Sequence, residues 1–242
     1  MDRVTSKQTK ASVIATMRQL ARSAGFRTRS QTHYTTRGDF LLSFHANYID
    51  AATEEYAKGE VRLLVRLWVK TIESDQVLWR ICQMTDELDK HSVDPLLGLD
   101  VVQSVRIAKR AFRIAAPDDV PLACQNIVDF ASNNFASFLA SIGNSLEGFY
   151  RYVVGLDPKL VWRDEVVFPI AYIQLGDYRA ALFHLDNDTH DNRATQLVGF
   201  TGRNRGELAY RSKGRCFGDY LAEYCQAHLH ESRPVTDIRQ PS

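Results

Sequence analysis

Apolar residues early in the chain recur at helical spacing. Val13, Met17, Leu20 and Ala24 share one face of residues 8–24, and the outer face is basic. Gly25 follows at once and predicts the helix end, because a residue without Cβ takes the left-handed conformation without steric cost. The pattern then changes to strand-like. Residues 26–37 are rich in Thr, with aromatics at Phe26 and Tyr34, and predict an exposed or edge strand. Gly38-Asp39 predicts a tight turn, and residues 40–49 a second strand that closes a hairpin. After a polar loop over 50–59, residues 61–72 alternate strictly. Val61, Leu63, Val65, Leu67 and Val69 take one face, and Arg62, Leu64, Arg66, Trp68 and Lys70 the other. Period two of this kind predicts a sheet with one buried and one wet face.

Residues 76–88 predict a short helix or turn, 89–98 a loop, and 99–107 a further strand running on toward Ile114. Pro117 to Pro121 then breaks the chain. Beyond it the period becomes helical. Residues 122–153 carry Ile127, Phe130, Phe135, Phe138, Leu139, Ile142, Leu146 and Phe149, with Gly143 and Gly148 as sites for a kink or split. Residues 160–175 predict a helix bent or irregular near Pro169. A turn at Gly176-Asp177 leads into a helix over 178–186, and a last helix is best supported from Phe217 to Leu229, before a frayed tail. Strands followed by helices argue for an α+β fold: an N-terminal helix packed on an antiparallel sheet of about four strands, then a C-terminal helical bundle. The expected organisation is a sheet region over 1–116 and a helical region over 117–242, packed as one unit.

Composition changes this picture little. The 242 residues are 45% apolar and 24% charged, which excludes wholesale disorder. A chain of this length buries enough surface to need no disulfide or metal. Cys82, Cys124, Cys216 and Cys225 fit no metal-binding spacing and are expected to stay reduced. No apolar run spans a membrane and no secretory pattern opens the chain, so a cytoplasmic protein is expected.

Charge changes it more. The formal total is +1, but residues 1–40 hold eight Lys/Arg against two acids, residues 41–200 fifteen against twenty-two, and residues 201–242 seven against five. A basic start and an acidic middle make a dipolar surface. The phosphate-loop, zinc-protease, nucleophile-elbow and kinase signatures do not occur. The glycine-rich piece 199–206 lacks the Lys-Ser/Thr of a phosphate loop and predicts a surface turn. Asp186, Asp188, His190 and Asp191 crowd one loop but lack the Gly and distant Glu of a calcium loop; a helix-terminating acidic loop is the simpler reading. Arg203, Arg205, Arg211, Lys213 and Arg215 surround Tyr210 and could track a phosphate backbone, but the acids elsewhere make nucleic-acid binding the less expected outcome. Residues 171–185 look like one helical-repeat turn; with no second copy at that period, a helical hairpin inside a globular domain is expected.

One resemblance bears on function. A helix closed by Gly25-Phe26, the basic residues Arg27 and Arg29, the aromatic Tyr34, the turn Gly38-Asp39, and Val77-Leu78-Trp79 after the apolar strands resemble a family of bacterial α+β domains of unknown function, over about the first 115 residues. Its members are often accessory or immunity proteins of toxin systems. The resemblance implies no active site and no cofactor, but a scaffold with a charged face that docks a cognate toxin. Against a basic toxin such as a nuclease, the contacts expected on the acidic middle are Glu54, Glu55, Asp186, Asp188 and Asp191. The alternatives are an enzyme whose Cys or His residues meet only in the fold, and a nucleic-acid-binding regulator.

Overall fold

Five strands form one antiparallel sheet in the order β1-β2-β3-β4-β5, so each strand lies beside its neighbour in sequence. The computed structural model describes residues 2–29, 31–49, 60–81, 104–157, 161, 164–186 and 217–235. Helix α1 (Asp2–Ser23) precedes β1 (Arg27–Arg29), β2 (Thr32–Arg37), β3 (Phe40–Tyr48) and β4 (Val61–Thr71). Helix α2 (Ile72–Ile81) follows β4 directly, and β5 (Val105–Ile114) completes the sheet. The remaining helices are α3 (Val120–Ser141), α4 (Leu146–Val154), α5 (Asp164–Gln174), α6 (Tyr178–Asp186) and α7 (Phe217–Ala227). This is the expected α+β fold with one strand more than the pattern indicated, because residues 26–37 make two strands, β1 and β2, instead of one. No described helix is long and apolar enough to cross a membrane.

Two compact units result, and neither is continuous in sequence. Met1–Val69 joins Arg106–Ala140, and Lys70–Val105 joins Ser141–Ser242. The chain does break at Pro117, where β5 gives way to a 3-10 turn over Pro117–Asp119, but most of α3 belongs with the sheet.

In the sheet unit the α1 cap follows from its sequence. Phe26 N–H donates to the Ala21 carbonyl and Gly25 N–H to that of Arg22, at 2.8 and 3.0 Å, with Gly25 at φ +86°. These two bonds satisfy carbonyls that the helix end would otherwise orphan. They also deliver Phe26 into the core, edge-on to Phe44 at 5.3 Å and 6.2 Å from Phe135 of α3. All five odd residues of β4 from Val61 to Val69 are buried, as alternation predicts. Its other face departs from expectation: Arg62, Leu64, Arg66 and Trp68 are half-buried and Lys70 is 2% exposed, so that face is not simply wet. Likewise Phe40 to Phe44 are buried without interruption.

In the second unit, Val77, Leu78 and Ile81 of α2 form a core with Val166, Ile170 and Ile173 of α5, Ala181 of α6, and Tyr220, Leu221 and Cys225 of α7. Helix α5 (Asp164–Gln174) includes Pro169, which is buried. The long helical stretch splits at residues 142–145. Ser145 caps α4 by accepting from Gly148 N–H at 3.0 Å. A Cβ on Gly148 would lie 2.0 Å from the Ile142 carbonyl oxygen, so only glycine fits there. The expected helical hairpin is formed by α5 and α6. Asp177 caps α6 through Ala180 N–H at 3.0 Å, and its second oxygen accepts from Val235 N–H at 2.9 Å. Arg233 N–H adds a bond to the Gly176 carbonyl at 2.8 Å. The tail expected to fray is therefore tied down as far as Val235.

Candidate functional site

Most residues singled out from the sequence lie outside the described residues: Glu54, Glu55, Asp188, Asp191, the strip Arg203 to Arg215, Cys82 and Cys216. Asp186 is the last residue of α6, and its side chain is not among those described. Three other arrangements gather polar or charged groups.

The first lies between α1 and the sheet. Thr28 of β1 stands opposite His33 of β2, and its hydroxyl is 2.9 Å from His33 Nδ1. The ring stacks on Phe44, its cross-strand neighbour in β3, at 4.7 Å. Thr32 and His45 repeat the pairing one strand over, at 3.0 Å. Burial first, then the charges of Arg18 and His45, lower the His33 pKa to about 4, so the ring is neutral near pH 7. Arg18, Thr28, Gln31, His33 and Tyr48 border a cleft there of about 30 Å³. That is room for about two waters, not a substrate. Tyr48 donates to the Lys10 carbonyl at 3.0 Å, and burial raises its pKa to about 12.

The second arrangement begins where β4 becomes α2. Thr71 caps α2 by accepting from Ser74 N–H at 3.1 Å, and the two hydroxyls are 2.6 Å apart. Tyr150 of α4 reaches Thr71 Oγ1 at 2.9 Å and donates to Glu73 Oε2 at 3.2 Å. Ser, Tyr and Glu within one network invite a catalytic reading. Burial, however, pushes Tyr150 up to about 12, and its hydroxyl already bonds Thr71 and Glu73. The cluster joins a helix cap to α4. The two described thiols are equally unsuited: burial raises Cys124 to about 11 and Cys225 to about 12, far from the thiolate a nucleophile needs at neutral pH. Among the described residues no cluster of three His, Cys, Asp or Glu could hold a metal ion.

The third is β5 itself, the last strand of the sheet. Arg106, Lys109, Arg110 and Arg113 give it four bases and no acid. Its ends are buried at Val105 and Ile114, whereas Arg106, Lys109, Arg110, Ala111 and Arg113 are exposed. Two of the bases serve the fold. Arg110 lies over the Phe112 and Phe130 rings at 5.2 and 5.9 Å. Arg113 is 60% exposed yet reaches Glu60 at 2.9 Å, and the same buried carboxylate also takes Arg62. Arg106 and Lys109 are exposed and make no ion pair among the described residues. Sequence reasoning missed this strip because β5 lies in a segment that is acidic on average. The local signal was present as four bases in eight residues without an acid. Of the three arrangements, β5 is the one that presents chemistry outward. No protein-family model, no curated protein and no solved structure matches this chain, so its function is read from these residues alone.

Proposed function

We propose that this chain is a cytoplasmic bacterial binding protein, an immunity protein that neutralises a cognate toxin by covering its active or substrate-binding surface. One observation carries the binding part of this reading: Arg106 and Lys109 stand exposed on the last strand of the sheet, with no ion pair among the described residues. The reactive groups support it from the other side, because His33, Cys124, Cys225 and Tyr150 are buried and held in their neutral forms near pH 7. A docking protein needs fixed outward charge to steer association and no titrating nucleophile. The toxin assignment rests on the resemblance around Gly25-Phe26 and on the segregated charge.

The test is co-expression with the product of the neighbouring gene. Rescue of growth, with a complex of nanomolar dissociation constant, supports the proposal; no rescue and no complex overturns it. Two sets of charge reversals then locate the face. Glu54→Lys and Glu55→Lys with Asp186→Lys, Asp188→Lys and Asp191→Lys weaken the complex if a basic toxin sits on the acidic segments. Arg106→Glu with Lys109→Glu weakens it if the contact is β5.

A further inference from the structure

We infer that β5 is a docking edge for an acidic, extended segment of a partner protein, which pairs with the strand backbone and extends the sheet. The inference deepens the binding reading above and needs the partner to be a protein, though not a toxin.

The two ends of the sheet differ in a way that matters. Strand β1 spans three residues, too short to template another chain. Strand β5 spans ten, about 33 Å of backbone, and among the described residues it has β4 as its one strand neighbour. A long edge leaves alternate N–H and C=O groups without a strand partner, and proteins commonly guard such edges with charge. The charge on β5 guards it selectively. Pairing β5 antiparallel with a second copy in centred register sets Arg106 opposite Arg113 and Lys109 opposite Arg110. Every base then faces a base, and like charges directly opposite one another repel. The same spacing attracts an acidic strand. Arg106 and Lys109 are three residues apart, so they project from opposite faces of the strand. Two carboxylates three residues apart in an incoming strand can meet both at once, one on each face. Backbone pairing would supply affinity and the two carboxylates the register. A nucleic acid meets the same bases but cannot use the backbone groups of the edge.

The experiment titrates the full chain with a ten-residue peptide of alternating Thr and Val carrying two Glu three positions apart, followed by amide hydrogen exchange. The expected result is saturable binding with slowed exchange confined to β5 and its flanks. Arg106→Glu with Lys109→Glu weakens this binding at least tenfold and gains affinity for the matching Lys peptide. Both side chains are exposed and make no ion pair among the described residues, so far-UV circular dichroism of the double variant stays that of the parent. The same peptide N-methylated at every internal residue keeps its charge but loses its backbone donors, and it fails to bind. Equal binding of the N-methylated peptide overturns the inference, as does the absence of binding by the parent peptide. Tighter binding of oligothymidylate, falling steeply with salt, overturns it in favour of a nucleic-acid edge. Growth rescue by co-expression is read separately, so failure of the toxin assignment leaves the peptide result standing.

Discussion

Each unit buries a hydroxyl-centred polar cluster, and the two are built for opposite chemistry. In the sheet unit, Thr28 and Thr32 hold His33 and His45 across strand pairs. In the helical unit, Thr71 and Ser74 hold Tyr150, which holds Glu73. Both satisfy buried polar atoms, which is the condition for keeping such atoms in a core at all. They differ in which proton is at risk. Protonating His33 would place a cation beside Arg18, whereas Tyr150 must lose a proton beside Glu73. The first cluster is therefore sensitive to acid and the second to base. A buried polar group thus marks a titration limit of its unit as much as a candidate site.

The largest break in this comparison comes from Phe44→Ala. It removes the ring under His33 and the partner of Phe26, and should cost about 3–5 kcal/mol in chemical denaturation. Tyr150→Phe removes only a hydroxyl and should cost less; an equal loss would show that hydrogen bonding holds the second cluster as strongly as ring packing holds the first.

Next is the acid limb. His33 has a folded pKa of about 4 against an ordinary value of 6.5. The unfolded chain therefore binds the extra proton between these values, and stability is complete above about pH 6.5 and falls toward pH 4. The loss is on the order of 3 kcal/mol from one group. His33→Gln should flatten the denaturation midpoint over that window, and an unchanged slope would exonerate His33. At the basic end the sign reverses. Tyr150 is raised from 10.0 to about 12, so its contribution is complete below pH 10 and lost as pH climbs toward 12. Tyr48 of the sheet unit shares that limit, so the alkaline limb does not distinguish the units.

Thr71→Ala should cost about 1–3 kcal/mol, because it removes the α2 cap and leaves the Ser74 and Tyr150 hydroxyls short of a partner. Thr28→Ala, which loses one hydroxyl beside a half-open cleft, should cost less; thermal unfolding of the two variants measures the difference. The smallest effect belongs to the exposed strand: Arg106→Ala and Lys109→Ala should each change stability by less than about 0.5 kcal/mol. A larger loss would mean that these bases serve the fold.

Local signals predicted local structure well. Gly25 ends α1, Gly38-Asp39 joins β2 to β3, and the alternation from Val61 matches the burial of β4. Gly143 lies in a real split between α3 and α4, and Gly148 in the first turn of α4. Each rests on neighbours in the chain, through dihedral preference or side-chain period, so sequence carries it directly. The weaker expectations depended on distance. The half-burial of Arg62, Leu64, Arg66 and Trp68 has no signature in alternation, which tells that two faces differ but not how far each is covered. The tail was expected to fray because nothing in residues 232–235 reveals that Asp177 and Gly176 accept from their backbone.

The residues of the candidate site divide the same way. The bases of β5 could be read from the sequence, but that the strand ends the sheet could not, since strand order is a tertiary fact. Nor could the sequence say that Arg110 and Arg113 meet Phe130 and Glu60 while Arg106 and Lys109 make no ion pair among the described residues. Helix, strand and turn come from interactions a few residues long, and here they follow the sequence closely. Which charge is spent inside the fold and which faces a partner depends on groups far apart in the chain, brought together only when the sheet closes on its helices.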